Sequence, residues 1–499
     1  MNYRLSQHAL VALVPLAAAT AALAGGGLDA DIFWADRWNS IYHQFSDANE
    51  DGLYVGVDEI GFLIDPASEA SLPASMLDVT RENGQKVFYW LPEYDDTILR
   101  GSDLNGDTLI TGGEYTVFRD SGTLDGESWP QDLKITDDGA VWWAAGKITA
   151  HPVKGLFRLE DLNGDGDAAD AGEQIVMIDG NGSHAAEHDA GSSNITAWAI
   201  STIASAGNGV MAYIGFGYGD DESVYLFEDL NDDGDLLDPG ESVLLLNAAG
   251  ESPNLPQNPD FADGTLKNVL GQNGYYAGFS YIASSMEDGV RAFYFGTRAG
   301  WQESLTGATN VNGEGVNFLI FRGVDLNGDR DVNDAGEVKL FIDGSHSDGD
   351  PNLFTLRGID ALDGGVIYAV GLKPFPVLFP GPNGNTWIHR FEDLNGDGDA
   401  MDPGEKQLEV FELQDNASTG LFPVPLDFGN VMCDPWFFAV HPRIYVAPAD
   451  LDANDAIGFS DLTLLLAAWG TPAADVDGNG STGFSDLTIT LNAWGRYQQ

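Results

Sequence analysis

The chain has few basic residues and almost no cysteine. Its 499 residues include 22 Lys and Arg against 78 Asp and Glu, which gives a formal charge of -56. A surface this acidic repels the phosphates of nucleic acids and anionic membranes, so the sequence predicts no nucleic-acid partner. The single cysteine, Cys433, cannot form an internal disulfide. A fold of this size must therefore be stabilised by its core and by other means, such as bound metal.

Long apolar runs are missing beyond the amino end. Residues 1–24 contain Arg4, an apolar run from Ala9 to Ala24 and small residues at its end, which is the pattern of a secretory signal peptide. No later stretch reaches the roughly 18 apolar residues that a membrane helix needs. The sequence therefore predicts a signal peptide over 1–24, a secreted protein that is extracellular or attached to the cell surface, and no membrane span.

A repeated acidic loop dominates the rest of the chain, of which 43% is hydrophobic and 11% aromatic. The line "LEDLNGDGDAADAGE" at 159–173 returns as "FEDLNDDGDLLDPGE" at 227–241 and "FEDLNGDGDAMDPGE" at 391–405. Six copies begin at Asp47, Asp103, Asp161, Asp229, Asp325 and Asp393. Short β-type runs flank the copies, for example "GLFRL" and "QIVMID", so each loop is predicted to close a β-hairpin.

The spacing of these hairpins predicts an all-β fold. Two further candidate strands precede each hairpin, and four antiparallel strands repeated radially form a propeller blade. The first repeat lacks an innermost strand, and the segment 424–440 follows the sixth loop without a hairpin of its own. We therefore predict a six-bladed β-propeller over 25–446, in which the late segment completes the first blade. A β-sandwich array is the rival architecture, although it would not explain the complementary ends.

The acidic loops are candidate calcium sites. Oxygen ligands at alternating positions of a tight loop suit a hard cation of this size, and turn chemistry alone explains only one or two aspartates per loop. The candidate ligands are Asp47, Asn49, Asp51 and Asp58 (or Glu59); Asp103, Asn105, Asp107 and Glu114; Asp161, Asn163, Asp165, Asp167, Asp170 and Glu173; Asp229, Asn231, Asp233, Asp235, Asp238 and Glu241; Asp325, Asn327, Asp329, Asp331, Asp334 and Glu337; and Asp393, Asn395, Asp397, Asp399, Asp402 and Glu405.

This loop resembles the calcium loop of EF-hands, with two departures. The closing Glu stands at position thirteen instead of twelve in most copies, and strands replace the flanking helices. In the copy at Asp103, Glu114 does stand at position twelve, but Thr108 occupies a position where an EF-hand has Gly.

The last fifty residues contain a different duplicated unit. "ADLDANDAIGFSDLTLLLAAWG" at 449–470 and "ADVDGNGSTGFSDLTITLNAWG" at 474–495 each place an acidic loop before a predicted helix. Leu462, Leu465, Leu466 and Trp469 are expected on one face of the first helix. The candidate ligands are Asp450, Asp452, Asn454 and Asp461 in the first loop and Asp475, Asp477, Asn479 and Asp486 in the second.

Two calcium loops that each lead into one helix resemble the type I dockerin module of cellulosome-associated proteins. The resemblance covers 447–499 and implies a cohesin-like or cell-surface partner, with Phe459, Ser460, Phe484 and Ser485 contributing to partner choice. Asn454 and Asn479 stand where dockerins usually carry Asp, which puts the calcium affinity in doubt. A calcium-stabilised end cap without a partner is the alternative.

Signals for catalysis are weak. "HAAEH" at 184–188 matches an inverted zinc-peptidase pattern, but its surroundings have the composition of a loop. With so many acids, carboxylate pairs suited to glycoside hydrolysis carry little information. Tyr275, Tyr276, Tyr281 and Trp301 are candidates for stacking on a glycan, although packing in the core or a loop explains each of them as well.

The sequence predicts a secreted, calcium-binding propeller that acts as a binding or display module and is anchored through its dockerin-like tail. Whether it is an enzyme stays uncertain, and a non-catalytic role is favoured. The alternative is a polysaccharide-degrading hydrolase or lyase carried by the same tail.

Overall fold

A computed structural model of the chain describes residues 30–36, 41–46, 54, 60–64, 76–82, 85–91, 97–105, 107–120, 130–145, 155–179, 200–214, 223–236, 238–247, 279–287, 289–297, 319–334, 336–343, 355–372, 386–402, 405–412, 435–442, 451, 459–471, 474 and 481–492. The structural statements below concern these residues. The predicted signal peptide and the "HAAEH" stretch lie outside them.

The described strands form six antiparallel sheets of four strands, numbered here as blades. Blade 1 contains Ala30–Asp36 (β1), Ile41–Phe45 (β2) and Ile60–Phe62 (β3), joined by Pro435–Pro442 (β24). Blade 2 contains Met76–Glu82 (β4), Gln85–Leu91 (β5), Ile98–Gly101 (β6) and Tyr115–Arg119 (β7). Blade 3 contains Pro130–Ile135 (β8), Val141–Ala145 (β9), Gly155–Leu159 (β10) and Gln174–Asp179 (β11).

The remaining three blades follow the same order. Blade 4 contains Ile200–Ala206 (β12), Gly209–Ile214 (β13), Ser223–Phe227 (β14) and Ser242–Asn247 (β15). Blade 5 contains Phe279–Glu287 (β16), Val290–Thr297 (β17), Leu319–Val324 (β18) and Val338–Asp343 (β19). Blade 6 contains Thr355–Leu362 (β20), Val366–Leu372 (β21), Thr386–Phe391 (β22) and Lys406–Glu412 (β23).

The innermost strand of each blade lines a central axis, and this strand is β24 in blade 1 and the first strand of the blade in blades 2 to 6. Strand β4 packs against β8, β8 against β12, β12 against β16, β16 against β20, β20 against β24, and β24 against β4. This closed ring of innermost strands confirms the predicted six-bladed β-propeller.

The ring closes by pairing the two ends of the propeller. Strand β24 pairs antiparallel with β1, from Ala30 opposite Pro442 to Asp36 opposite Pro435. The expectation that the segment 424–440 supplies the missing innermost strand is confirmed, although the strand itself spans Pro435–Pro442.

Apolar layers between neighbouring blades form the core. Both faces of a blade pack against other blades, so strands in the middle of a blade read as continuous apolar runs. Strand β9 ("VWWAA") and strand β10 ("GLFRL") are buried at every position. Trp142 lies in the layer toward blade 4, whereas Trp143 lies in the layer toward blade 2. This two-sided burial fixes each blade at its angle around the axis.

Two short helices follow the propeller. They span Phe459–Ala467 (α1) and Phe484–Asn492 (α2), and they pack against each other. Leu465 is fully buried, but Leu466 is 52% exposed, and Trp469 lies beyond the end of α1. The expectation that Leu462, Leu465, Leu466 and Trp469 share one face of the helix is therefore wrong for Trp469, because α1 ends at Ala467. In the described part of the chain, no helix is long and apolar enough to cross a membrane.

Candidate metal centres

Each acidic loop joins the third and fourth strands of its blade, as predicted. Five of the six are described, between β6 and β7, β10 and β11, β14 and β15, β18 and β19, and β22 and β23. Positions are counted below from the leading aspartate of each loop. The ligands predicted in the first loop, Asp47, Asn49, Asp51 and Asp58, lie outside the described residues.

The closing glutamate ties the two ends of each loop together. Glu173 accepts the N–H of Leu162 on Oε1 at 3.1 Å and the N–H of Asp170 on Oε2 at 2.9 Å. The same pair of contacts recurs in the other loops, at Glu241, Glu337, Glu405 and Glu114. A glutamate at position twelve therefore makes the same two bonds as one at position thirteen. The loop that ends at Glu114 is one residue shorter, but only in its second half.

The leading aspartate shapes the first half of the loop. Asp161 accepts the N–H groups of Gly164 and Asp165 on Oδ1 and that of Gly166 on Oδ2. Position six then adopts the left-handed backbone region, with a φ of 97° at Gly166. Thr108 and Arg330 take the same conformation at φ 71° and 74°, although it suits glycine best. The tight turn is therefore kept even where the glycine is missing.

In two of the five described loops, positions one, five and thirteen bring their carboxylates together. One oxygen each from Asp229, Asp233 and Glu241 lies within 4.8 Å of the others, and the same holds for Asp393, Asp397 and Glu405. A cluster of carboxylate oxygens without sulfur or nitrogen donors fits a hard cation such as Ca²⁺. In each of these two loops, three of the six predicted ligands thus converge.

The other predicted ligands lie around these clusters. The Nδ2 group of Asn395, at position three, donates to Asp397 at 3.3 Å and to Asp402, at position ten, at 2.7 Å. Position seven caps the next turn, since Asp399 Oδ1 accepts the N–H of Met401 at 2.9 Å. The equivalent contacts recur in the loops that begin at Asp161 and Asp325.

Like charge is crowded inside the loops. Burial raises the pKa of Asp399, and the neighbouring carboxylates of Asp397, Asp402 and Asp393 raise it further. Burial likewise raises the pKa of Asp331, with Asp329 and Glu337 adding to the effect. A cation bound among these groups would relieve this repulsion.

Position eight, which the sequence analysis left without a role, joins each loop to the preceding blade. The N–H of Ala168 donates to the carbonyl of Phe118 at 2.7 Å, and Val332 donates to Leu245 at 2.9 Å. Ile110 and Ala400 make the same bond to Leu63 and Phe341. All position-eight side chains are fully buried, at Tyr54, Ile110, Ala168, Leu236, Val332 and Ala400. The sequence could have predicted this burial, because the six acidic loops all carry a non-polar or aromatic residue at position eight.

Two basic residues of blade 5 form hydrogen bonds with the acidic loops of the adjacent blades. Arg330 donates to Gly240 O and, at 2.7 Å, to Glu228 of blade 4. Lys339 of blade 5 donates to the carbonyl of Asp397 at 2.8 Å. These bonds are made to two backbone carbonyls and to Glu228, not to the carboxylates of the converging clusters.

Of the ligands predicted in the tail loops, only the closing acids Asp461 and Asp486 are described. Asp450, Asp452, Asn454, Asp475, Asp477 and Asn479 lie outside the described part. Asp461 is fully buried and accepts the N–H of Leu451 at 2.7 Å, and Asp486, also buried, accepts that of Gly483 at 2.6 Å. The bond from position two to Asp461 is the same closure that the propeller loops use.

The predicted partner-binding residues include the two most exposed large apolar side chains of the described chain. Phe459 and Phe484, which begin the two helices, are each 79% exposed. Ser485 is exposed beside Phe484, and the side chain of Ser460 is not described. Trp469 contacts Phe484 edge to face with ring centroids 5.0 Å apart. An aromatic surface is thus present at the start of both helices.

The residues proposed for glycan stacking are mostly outside the described part. Tyr275, Tyr276 and Trp301 belong to this group. Tyr281 is described and packs in the apolar layer between blades 5 and 6, which agrees with the packing alternative.

A charged group on the propeller axis was not predicted as a site. Asp78, Asp132 and Asp360 lie on the innermost strands β4, β8 and β20, and all three act electrostatically on Lys134 of β8. Burial raises the pKa of Asp78 to about 6. The letters "DLKI" at 132–135 placed two of these charges in a strand, but nothing in the sequence joins them to Asp78 and Asp360.

Comparison with known proteins gives fold-level likenesses only. No family model matches the chain, and no curated protein matches it. Among solved structures, a luciferin-regenerating enzyme is 11% identical with a TM-score of 0.39, over 75% of this chain and 95% of the other. A putative 6-phosphogluconolactonase from Bacteroides uniformis is 15% identical with a TM-score of 0.34, over 78% and 83%. A fungal alcohol oxidase of the AA5 family in complex with copper is 8% identical with a TM-score of 0.38, and the chain spans 61% of its length while 74% of this chain is covered. At these TM-scores the likenesses carry no information on activity, ligand or partner.

Proposed function

We propose that this protein is a secreted, calcium-loaded β-propeller that acts as a binding or display module. In this proposal the dockerin-like tail anchors the propeller to a cohesin-like or cell-surface partner. The observation that carries the calcium part is the convergence of three carboxylates within 4.8 Å in the loops at Asp229 and Asp393. Such a group of oxygens is costly to hold together unless a cation neutralises it.

The recurrence of the loop supports the same conclusion. Five described loops share one closure by glutamate, and each sits at the same place in its blade. Four of these loops repeat six oxygen-bearing positions and the loop at Asp103 repeats four of them. A polar turn needs no such repetition, whereas a coordination sphere does.

The tail is proposed as the anchor because it exposes aromatic groups beside buried acids. Asp461 and Asp486 are inaccessible to solvent, and Phe459 and Phe484 are mostly exposed two residues earlier. Large exposed aromatic side chains are typical of the energetic centres of protein interfaces.

Calcium binding is tested by thermal unfolding and calorimetry of the full chain. We expect the melting temperature to fall when chelator replaces calcium, because each site occupied at 100 times its Kd contributes about 2.7 kcal/mol. Glu405→Gln should lower the number of bound calcium ions by one, since Glu405 is 3% exposed and belongs to a converging cluster. Asp137→Asn is the matched control, an exposed acid outside the loops. A melt that is unchanged in chelator would contradict the proposal.

Anchoring is tested with the full chain as bait against envelope and secreted fractions of the producing organism. The expected result is a cohesin-like prey that is retained in calcium and released by chelator. Asp461→Ala combined with Asp486→Ala should abolish retention, because both buried acids close the tail loops. If the double variant retained the prey as well as the natural chain, the tail loops would not organise the partner surface.

The alternative, a hydrolase or lyase acting on polysaccharides, predicts paired carboxyls with one raised pKa on the central face of the propeller. Asp78 meets the pKa condition, but only 9% of the residue is exposed and its Oδ2 accepts the N–H of Ile135. A carboxyl committed to the next blade is poorly placed to protonate a glycan. Cleavage of any glycan by the full chain would restore this alternative.

A further inference from the structure

Three aspartates make the same bond around the propeller axis. Each lies on an innermost strand and accepts a backbone N–H from the innermost strand of the next blade. Asp78 Oδ2 accepts Ile135 at 2.7 Å, Asp132 Oδ2 accepts Ile203 at 2.9 Å, and Asp360 Oδ2 accepts Val440 at 2.8 Å. These bonds join blades 2 to 3, 3 to 4 and 6 to 1.

One lysine lies among these carboxylates. Lys134 is next to Ile135, whose N–H binds Asp78, and it stands two residues after Asp132 on the same strand. Alternate residues of a strand face the same side, so Lys134 and Asp132 share the face opposite to Leu133 and Ile135, which pack in the layer toward blade 2. Asp360 belongs to blade 6, which is opposite blade 3 in a ring of six. Its interaction with Lys134 therefore crosses the axis.

The charges within this group of four residues do not balance. Three carboxylates and one ammonium leave a net charge of about -2 if all are ionised, in a place where burial opposes charge. Although burial lowers the pKa of Lys134, the carboxylates of Asp78, Asp360 and Asp132 raise it above the usual value. Burial raises the pKa of Asp78, Asp132 and Asp360, and Lys134 opposes this rise at each of them.

The innermost strands carry other titratable groups, and two of these, both carboxylates, have partners of their own. Glu82 binds Tyr89 and Arg100, and Glu287 binds Tyr294 and Arg322. The strands β12 and β9, which pack against β8, contain no titratable residue. The remaining groups on innermost strands are Arg81 on β4, Tyr281 on β16, Arg357 on β20, whose side chain is not described, and His441 on β24.

We infer that Lys134 is a built-in counter-ion of the propeller axis, which keeps ionised the carboxylates that join blades 2 to 3, 3 to 4 and 6 to 1. Ionised acceptors form stronger hydrogen bonds than neutral ones, so this single ammonium stabilises three separate blade interfaces. Its role is positional and electrostatic, and it does not depend on calcium in the outer loops.

The test compares Lys134→Met with Lys134→Arg, both in the full chain at saturating calcium, at pH 8 and pH 5. Without the ammonium, the carboxyl pKa values in the folded state rise further above the unfolded value. The folded state then binds more protons than the unfolded state up to a higher pH, and stability falls as pH rises through that range. We expect Lys134→Met to lower the melting temperature by several degrees more at pH 8 than at pH 5, and Lys134→Arg to lower it equally at both.

A second variant keeps the test decisive if Lys134→Met does not fold at pH 8. Asp360→Asn removes one negative charge, while its side-chain oxygen can still accept the N–H of Val440. Relative to its effect at pH 5, it should raise the melting temperature at pH 8, alone and together with Lys134→Met. Equal losses at both pH values for Lys134→Met, or an Asp360→Asn effect that does not depend on pH, would show that Lys134 only fills space.

Discussion

At the scale of single residues, His43 shows how burial sets the response of the propeller to acid. Its ring lies on β2 between Trp34, at 5.7 Å, and Phe45, at 6.4 Å between centroids, and the residue is 5% exposed. Burial lowers the pKa of His43 from 6.5 to about 4. The unfolded chain therefore binds a proton at a higher pH than the folded chain does.

This difference predicts a loss of stability in acid. A depressed histidine pKa contributes stability that is present above pH 6.5 and is lost as pH falls from 6.5 toward 4. At 1.36 kcal/mol for each pKa unit, the full loss is roughly 3 kcal/mol. Unfolding of the natural chain and of His43→Gln, followed across this range, should show a shallower decline for the variant. Parallel declines would contradict the assignment.

At the scale of elements, the acidic hairpin also acts as a link between blades. Leu236, at position eight of the loop after β14, is fully buried in the layer that includes Met177 and Ile178 of blade 3. Leu230, at position two of the same loop, is 52% exposed. Leu236 therefore contributes to the contact between blades 3 and 4, whereas the side chain of Leu230 does not.

Leu236→Ala should lower the free energy of unfolding by about 2–5 kcal/mol, because it leaves a cavity between two blades. Leu230→Ala, the matched control, should change it by about 0.5 kcal/mol or less. Urea unfolding at fixed calcium measures both values. Similar losses for the two variants would mean that position eight has no special part in joining the blades.

The same elements show what the sequence could predict. Hairpins, blades and their number follow from the repeated loop, because each copy carries both its turn chemistry and its flanking strands. The prediction of the first tail helix is less accurate. The helix already begins at Phe459, within "GFSDLT", and the turn at 468–470 leaves Trp469 outside it. Helix boundaries depend on such local capping, which the apolar pattern does not record.

At the scale of the whole molecule, the axial charges could not be predicted. Asp132 and Lys134 are visible as charges within a strand, but Asp78 and Asp360 come from blades 2 and 6. They meet Lys134 only because six sheets close around one axis. The outer loops, in contrast, collect their acids within thirteen residues. Local clusters of charge were therefore predicted, and the cluster that depends on ring closure was not.

Ring closure by β24 also sets an order of events during synthesis. Strand β1 is made first and must wait for a partner that lies near the end of the propeller, where Ala30 meets Pro442. The tail follows directly on that closing strand. A chain that stops early, before β24, therefore lacks the tail as well as the closed ring. The position of one strand thus couples completion of the ring to possession of the tail, which we propose as the anchor.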